Sequence, residues 1–277
     1  MAEREASSTA VAVAALRAAH RMFDAPPWIL DDPIAERLLD STSRERLRGN
    51  PDQLAHPRIR ALRSHVLLRS RYAEDRAAAA VQRGVRQLVM LGAGYDTFAY
   101  RQPPWAEALS IVEVDHPASQ AAKRDSLSAA GIAVPANVTF MPVDFETETI
   151  GAGLRRGGFD PGRPTFLSWL GVMVYLRHDA VEAVFRFVAS LPAGSEITFT
   201  FSPPAEGAPD VTASAAAAMG EPWLTRLTRH DLEAILRELG FSEVTFLSPH
   251  DAAVRYFGER SDGLPAPLGV RIGSAVV

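Results

Sequence analysis

Val89-Met90-Leu91-Gly92-Ala93-Gly94-Tyr95-Asp96-Thr97, read together with Ile111-Val112-Glu113-Val114-Asp115, decides how this chain folds. The first stretch is an apolar run that ends in a Gly-x-Gly turn. The second is an apolar run that ends in acids, and Asp115 follows Gly92 by 23 residues. An α/β sheet holds a nucleoside in this way, with bare backbone against the ligand and a carboxylate on the ribose hydroxyls. A lone Gly-x-Gly is a weak signal, since a tight turn with no ligand can also use it. Here it follows a strand-like run, is expected to lead into a helix, and is answered by an acid at the right distance.

Outward from that pair the pattern alternates. Gln87–Leu91 and Ser110–Val114 read as the first two strands, and a helix is expected from Pro117 to about Ala130. Val138–Val143, Thr165–Leu170 and Ser195–Phe201 read as three further strands, with helical segments near Thr147–Arg156 and over His178–Ser190 between them. Strand and helix repeating in this order specify a parallel sheet covered on both faces. Pro203–Gly220, rich in Pro and Ala, reads as a mobile loop, a position from which loops often cover a substrate. A helix over Thr228–Leu239, capped by Thr228 and stopped by Gly240, and strands over Ser242–Leu247 and Gly269–Val277 complete the sheet.

Before the first strand come three helices. One runs through Ala10–Met22 from a Ser8 or Thr9 cap, one opens at Pro33 and runs to about Arg48, and a long one runs from about Pro57 to Gln82, with Gly84 as its stop. The expected division is a helical cap over residues 1–84 and an α/β domain over 85–277.

Composition narrows the chemistry. The 277 residues are 47% hydrophobic and 22% charged, the balance of an ordinary globular protein. A net charge of −4 gives no whole-molecule attraction to nucleic acid or anionic lipid. The chain has no cysteine, which removes disulfides, thiolate nucleophiles and Cys-based metal sites. The histidines make no metal-ligand spacing, no Gly-x-Ser-x-Gly elbow is present, and basic clusters lack the interleaved aromatics of a single-strand reader. No run approaches the roughly 20 apolar residues of a membrane span, and the N-terminus lacks a secretory core, so a soluble cytoplasmic protein is expected.

The turn itself discriminates between nucleoside cofactors. A dinucleotide site wants a third glycine three residues past Gly94, and Thr97 stands there with Asp96 beside it. A carboxylate next to a pyrophosphate is repelled. S-adenosylmethionine carries an ammonium, a sulfonium and a carboxylate but no phosphate, so the departure favours a methyl donor over NAD.

Leu91-Gly-Ala-Gly-Tyr-Asp-Thr97 with Tyr100-Arg101, Val112-Glu-Val-Asp-His-Pro117 with Lys123, and Val143-Asp-Phe145 resemble the leucine carboxyl methyltransferase family, and most closely its bacterial branch. The order of the motifs, the N-terminal helices and the chain length agree with it over nearly the whole chain. The resemblance implies an α/β, doubly wound, mostly parallel seven-stranded sheet of the class I methyltransferase type, with a helical cap and an antiparallel last strand. It implies that S-adenosyl-L-methionine lies over Gly92, Ala93 and Gly94, with its ribose on Asp115 and its adenine at Asp144 and Phe145. Arg71 matches the family arginine that pairs with the cofactor carboxylate, and Arg17 matches a basic residue that closes the same corner. The family's fourth strand commonly ends in Glu-Gly, where this chain has Leu170-Gly171, so Leu170 is expected to line the site without accepting a hydrogen bond.

Several other residues have bland readings that outweigh functional ones. Asp96 and Arg101 are expected to pair and fix the turn. His116 is expected to be a satisfied neighbour of Asp115, and Tyr256, Phe257 and Trp223 to pack in the core or a lid. Tyr175, after the fourth strand, is the candidate for substrate contact. No catalytic residue and no metal ligand are assigned.

The expected activity is methyl transfer from S-adenosylmethionine to an oxygen of a small molecule, a carboxylate being the acceptor the resemblance favours. Two other readings stay open: an NAD-dependent oxidoreductase on the same sheet, and a cofactor-binding protein of a biosynthetic pathway that transfers no methyl group.

Overall fold

The computed structural model describes residues 7–145, 147–205, 207, 210–258 and 260–277. Its centre is a seven-stranded sheet in the order β3-β2-β1-β4-β5-β7-β6, built from β1 (Gln87–Leu91), β2 (Ser110–Asp115), β3 (Val138–Pro142), β4 (Thr165–Trp169), β5 (Glu196–Thr200), β6 (Glu243–Phe246) and β7 (Ile272–Val276). β7 runs antiparallel to both β5 and β6, and the other pairings are parallel. The expected fold class is therefore the one observed. The chain order reverses between β1 and β4, which opens a crevice at their C-terminal ends.

Alternation assigns the faces. Val89, Leu91, Val112 and Val114 point into one core with the helices that cover that side, α7 (Ile150–Arg156), α8 (His178–Ala189) and α10 (Arg229–Glu238). Trp169, Phe185, Phe199 and Phe246 continue that core as a chain of edge-to-face ring contacts. Leu88, Met90, Ile111 and Phe166 point to the opposite face, where Ala77 and Ala80 of α5 (Pro57–Gln82) meet them. Small alanines let α5 lie close to the sheet. They also explain why β5 is buried along its whole length although it alternates with polar residues. Glu196, fully buried on the α5 side, accepts from Arg76 of that helix and from Arg83, its C-cap residue.

The cap starts with α1 (Ser8–Phe23), whose N-cap is Ser7 rather than the expected Ser8 or Thr9. The expected second helix from Pro33 to Arg48 is broken into α2 (Ala35–Leu38) and α3 (Ser41–Gly49). Asp40 breaks it by accepting from the Ser43 N–H at 2.7 Å, and Asp followed by Ser-Thr-Ser competes with helical hydrogen bonding through its own side chains. The short α4 (Pro51–Ala55) leads into α5, which has the predicted bounds. α6 (Pro117–Ala129) follows β2. The expected loop after β5 contains a helix, α9 (Val211–Ala218), because Asp210 caps an alanine run of high helix propensity. Between β1 and β2, where a helix was expected, the chain makes only the 3₁₀ turns Phe98–Tyr100 and Pro104–Ala106. α11 (Pro249–Ala252) joins β6 to a π-helical turn at Ala253–Phe257.

Among the described residues no helix is long and apolar enough to cross a membrane.

Candidate functional site

A cavity of about 1090 Å³ lies over the C-terminal ends of β1, β2 and β4, walled on the other sides by α1, the first turns of α5, α9 and the segment 265–271. Its floor is the glycine turn. The Gly92 and Ala93 N–H groups both donate to the Val114 carbonyl, at 2.8 and 3.0 Å, and this ties the turn to the end of β2. Gly92 has φ +65°, and a Cβ there would overlap the Val172 side chain. Gly94 has φ +46°, and its missing Cβ lets Ala10 of α1 approach. Asp115 closes the floor: Oδ2 accepts from the Gly94 N–H and Oδ1 from the His116 N–H at 2.7 Å. Burial pushes the Asp115 carboxyl above the ordinary aspartate range, and these two N–H groups offset only part of that shift.

Gly92, Ala93, Gly94, Asp115, Asp144, Phe145, Leu170 and Tyr175 all line this one cavity. Arg71 does not. Its side chain is 46% exposed and pairs with Asp75, one helical turn on, at 2.9 Å. Arg69 lines the cavity instead. The two arginines are about 200° apart around α5, so only one can face inward. Arg69 fits because Gly171 (φ +75°) has no side chain: a Cβ there would lie 2.6 Å from the guanidinium. Among the described residues Arg69 has no hydrogen-bond or ion-pair partner. Burial, then the charge of Arg17, pushes it down to about 10.

The expected Asp96–Arg101 pair is not formed. Arg101 turns to Glu74, and Asp96 accepts from the Phe98 N–H at 2.8 Å with Arg17 3.9 Å away. Burial raises the Asp96 carboxyl, but Arg17 and Arg101 outweigh it and hold the group below the ordinary range, so a negative charge sits at the turn. Beneath them lies Asp32, fully buried, which accepts from the Thr97 hydroxyl at 2.6 Å and pairs with Arg17 at 3.1 Å. Arg17, carried by α1, also donates to the Tyr95 carbonyl. The cap is thereby bolted to the glycine turn.

The remaining expectations sort by contact. His116 caps α6 by accepting from the Ala118 N–H at 3.3 Å. Phe257 packs in a core with Leu67 and Leu264, and the Tyr256 hydroxyl donates to Asp75. Trp223 lines the cavity, stacked under Arg226. Lys123 forms a buried pair with Glu113 at 2.7 Å, joined by the Tyr100 hydroxyl.

Among the cavity groups with no counterpart in the sequence reading are His65, Arg58, Arg271 and Glu221. Glu221 accepts from the Ser7 hydroxyl, the Thr9 N–H and the Thr9 hydroxyl, clasping the segment after α9 to the start of α1. Burial, followed by Arg69 and Arg271, pushes His65 down to about 3, so its imidazole is neutral. The stripe Arg58, Leu62, His65, Arg69 on α5 was a usable signal, since it marks a helix face that is neither apolar nor fully solvated. Among the described residues no group of three or more His, Asp or Glu is placed to hold a metal ion.

The residues suit S-adenosylmethionine better than a dinucleotide. The floor is bare backbone beside a ribose-type carboxylate, an unpaired guanidinium is available for a carboxylate, and no α-helix N-terminus follows the turn to receive a pyrophosphate.

Known proteins agree. The leucine carboxyl methyltransferase family model matches residues 10–189. The chain is 31% identical to YktD of Bacillus subtilis, a protein named as a candidate S-adenosyl-L-methionine-dependent methyltransferase, over 96% of each chain. It is 33% identical to a protein of the same description from Mycolicibacterium gilvum, over 85% of this chain and 76% of that one. A crystal structure of a DUF574 family protein from Streptomyces avermitilis has the same fold, with a TM-score of 0.52 and 22% identity over 94% of this chain and 95% of that one. The chain belongs to the leucine carboxyl methyltransferase family: it is an S-adenosylmethionine-dependent methyltransferase.

Proposed function

We propose that the enzyme methylates an oxygen of a small molecule, and that the acceptor is a carboxylate. The observation that carries the cofactor half is the convergence of the Gly94 N–H on Asp115 at the floor of a cavity whose glycine turn leads into a 3₁₀ turn rather than an α-helix. Asp115 is positioned to accept from both ribose hydroxyls, Asp144 and Phe145 to flank the adenine, and Arg69, in place of Arg71, to pair with the cofactor carboxylate. When bound, the cofactor supplies a methyl group on a positively charged sulfur, already activated for displacement.

What the chain must add is alignment and exclusion of water. The choice of acceptor rests on the proton balance. A phenol or alcohol needs a base, whereas a carboxylate arrives ionised at neutral pH. The cavity histidines supply no such base: His65 is held neutral with a value of about 3, and His116 spends its Nδ1 on the α6 cap. Tyr175, whose hydroxyl is 3.5 Å from that of Thr9, stands beside Arg69 and is placed to touch the acceptor.

Calorimetric titration with S-adenosylhomocysteine and with NADH tests the cofactor half, and binding of NADH alone would end it. Incubation with methyl-labelled donor and a panel of small acids and phenols tests the acceptor half. Base-stable label on phenols, with none released as methanol from esters, would refute it. Leu170 favours one second reading, a pocket that binds cofactor without transfer, because it removes an acceptor group from the wall. Tight binding with no label on any acceptor would support that reading.

A further inference from the structure

The cavity has two chemically distinct ends. Asp115 lies at the sheet edge with both oxygens engaged by N–H groups, Asp96 lies there beside Arg17, and Asp144 follows β3. Glu221 is committed to the start of α1. α5 descends toward the start of β1, so each earlier turn stands further above the sheet. His65 sits one turn before Arg69, about 6 Å higher. On this side, from His65 across to the edge of β5, where the Arg271 carbonyl accepts from the Phe201 N–H at 3.2 Å, the charge carried by the described residues is positive. Arg58 at the mouth and Arg271 at the entry to β7 both face the cavity, and among the described residues neither has a carboxylate within ion-pair distance. Arg271 is held in place through its donation to the Ser202 hydroxyl at 2.9 Å. His65, whose ionisation burial opposes first and then both Arg69 and Arg271, is neutral, and among the described residues it has no hydrogen-bond partner.

This side also carries exposed apolar side chains. Leu62 of α5, Val211 and Met219 on the α9 side, and Leu268 in the segment before β7 line it. Val211 is 57%, Met219 43% and Leu268 96% exposed, an unusual concentration of bare hydrophobic side chains around one opening. A pocket of apolar walls with a few convergent polar groups is built for a ligand with an apolar body and one polar end. Cations with no carboxylate partner among the described residues specify the sign of that end.

We infer that Arg271 and His65 form the subsite that reads the acceptor's anionic group, and that the acceptor is an apolar-bodied carboxylic acid whose body lies against Leu62, Val211, Met219 and Leu268. This rests on the functional reading above and extends it from a reaction type to a substrate class. Arg271 supplies the charge, and the neutral imidazole supplies a second donor that holds the carboxylate in one orientation. Arg69, against Gly171 after the end of β4, is left for the cofactor.

The test is calorimetry on full-length protein saturated with S-adenosylhomocysteine, using octanoate, octanamide and acetate as probes. Octanoate should bind at least about tenfold more tightly than octanamide, which keeps the body and lacks the charge, and than acetate, which keeps the charge and lacks the body. Arg271→Gln should weaken octanoate by about tenfold or more and leave S-adenosylhomocysteine affinity within about twofold, with Arg271→Lys recovering part of the loss. His65→Leu provides an independent variant should Arg271→Gln fold poorly, and it should weaken octanoate but not the cofactor product. Equal binding of octanamide and octanoate, equal binding of acetate and octanoate, or octanoate affinity unchanged in both variants would overturn the inference. Failure of the unaltered protein to bind S-adenosylhomocysteine would instead strike the functional reading, and this inference with it.

Discussion

Two backbone N–H groups hold the Asp115 carboxylate in place before any ligand arrives, and its preorganisation defines the site at the scale of single residues. Asp115→Ala is expected to weaken S-adenosylhomocysteine by about 100-fold or more, since in the proposed site it removes charge-assisted acceptors from both ribose hydroxyls. Thermal unfolding of that variant should change little, because a carboxyl already raised by burial contributes little to stability in its charged form. Unchanged affinity would mean the ribose lies elsewhere. The same raised value sets a pH dependence. The carboxylate is the binding form, so affinity is full well above the raised value. It falls as the pH drops through it, and that point lies higher than for an ordinary aspartate. Calorimetry across the acidic range checks both the direction and its absence in Asp115→Asn. The two arginines of α5 give a sharper contrast. Arg69→Gln should cost about 10- to 100-fold in affinity, and Arg71→Gln, which breaks only a surface pair, about nothing. The reverse ranking would restore the sequence-based choice.

At the scale of elements, the cavity depends on a clasp between segments remote in the chain. Glu221 gathers three donors from Ser7 and Thr9, and the side chains and N–H groups of that first turn are what α1 would otherwise leave to solvent. Glu221→Ala should release the start of α1 from the segment after α9. Hydrogen exchange in the first turn of α1 is then expected to rise by about tenfold or more, while β1 and β4 stay protected. Unaltered exchange would show that the clasp does not hold the roof. Most element bounds were readable beforehand, because strand alternation, Pro at N1 and the Thr228 capping box are local signals. The exceptions have local causes too. Asp40 split a helix that apolar periodicity alone would continue, and Asp210 with four alanines turned an expected loop into α9.

For the whole molecule, we propose that residues 1–84 are a cap that cannot be separated from the sheet. α5 covers one face of β1 and β4, and its Arg76 and Arg83 neutralise Glu196, which is fully buried in β5. A chain beginning at residue 85 would bare the apolar side chains of that face, Leu88, Met90, Ile111 and Phe166, to water and strip Glu196 of both its partners. Such a fragment is expected to lack a cooperative urea transition by circular dichroism. A two-state transition near that of the full chain would refute the dependence.

The sequence by itself determined most of the strands, the parallel α/β class of the sheet and the glycine–aspartate pair, because alternation, turn chemistry and spacing are properties of short segments and carry through to any packing. Only the tertiary structure decided which arginine of α5 faces inward, which acid answers Arg101, and that Glu221 meets Ser7. Those choices depend on rotation about a helix axis and on partners more than 200 residues apart, and neither leaves a mark in the local pattern.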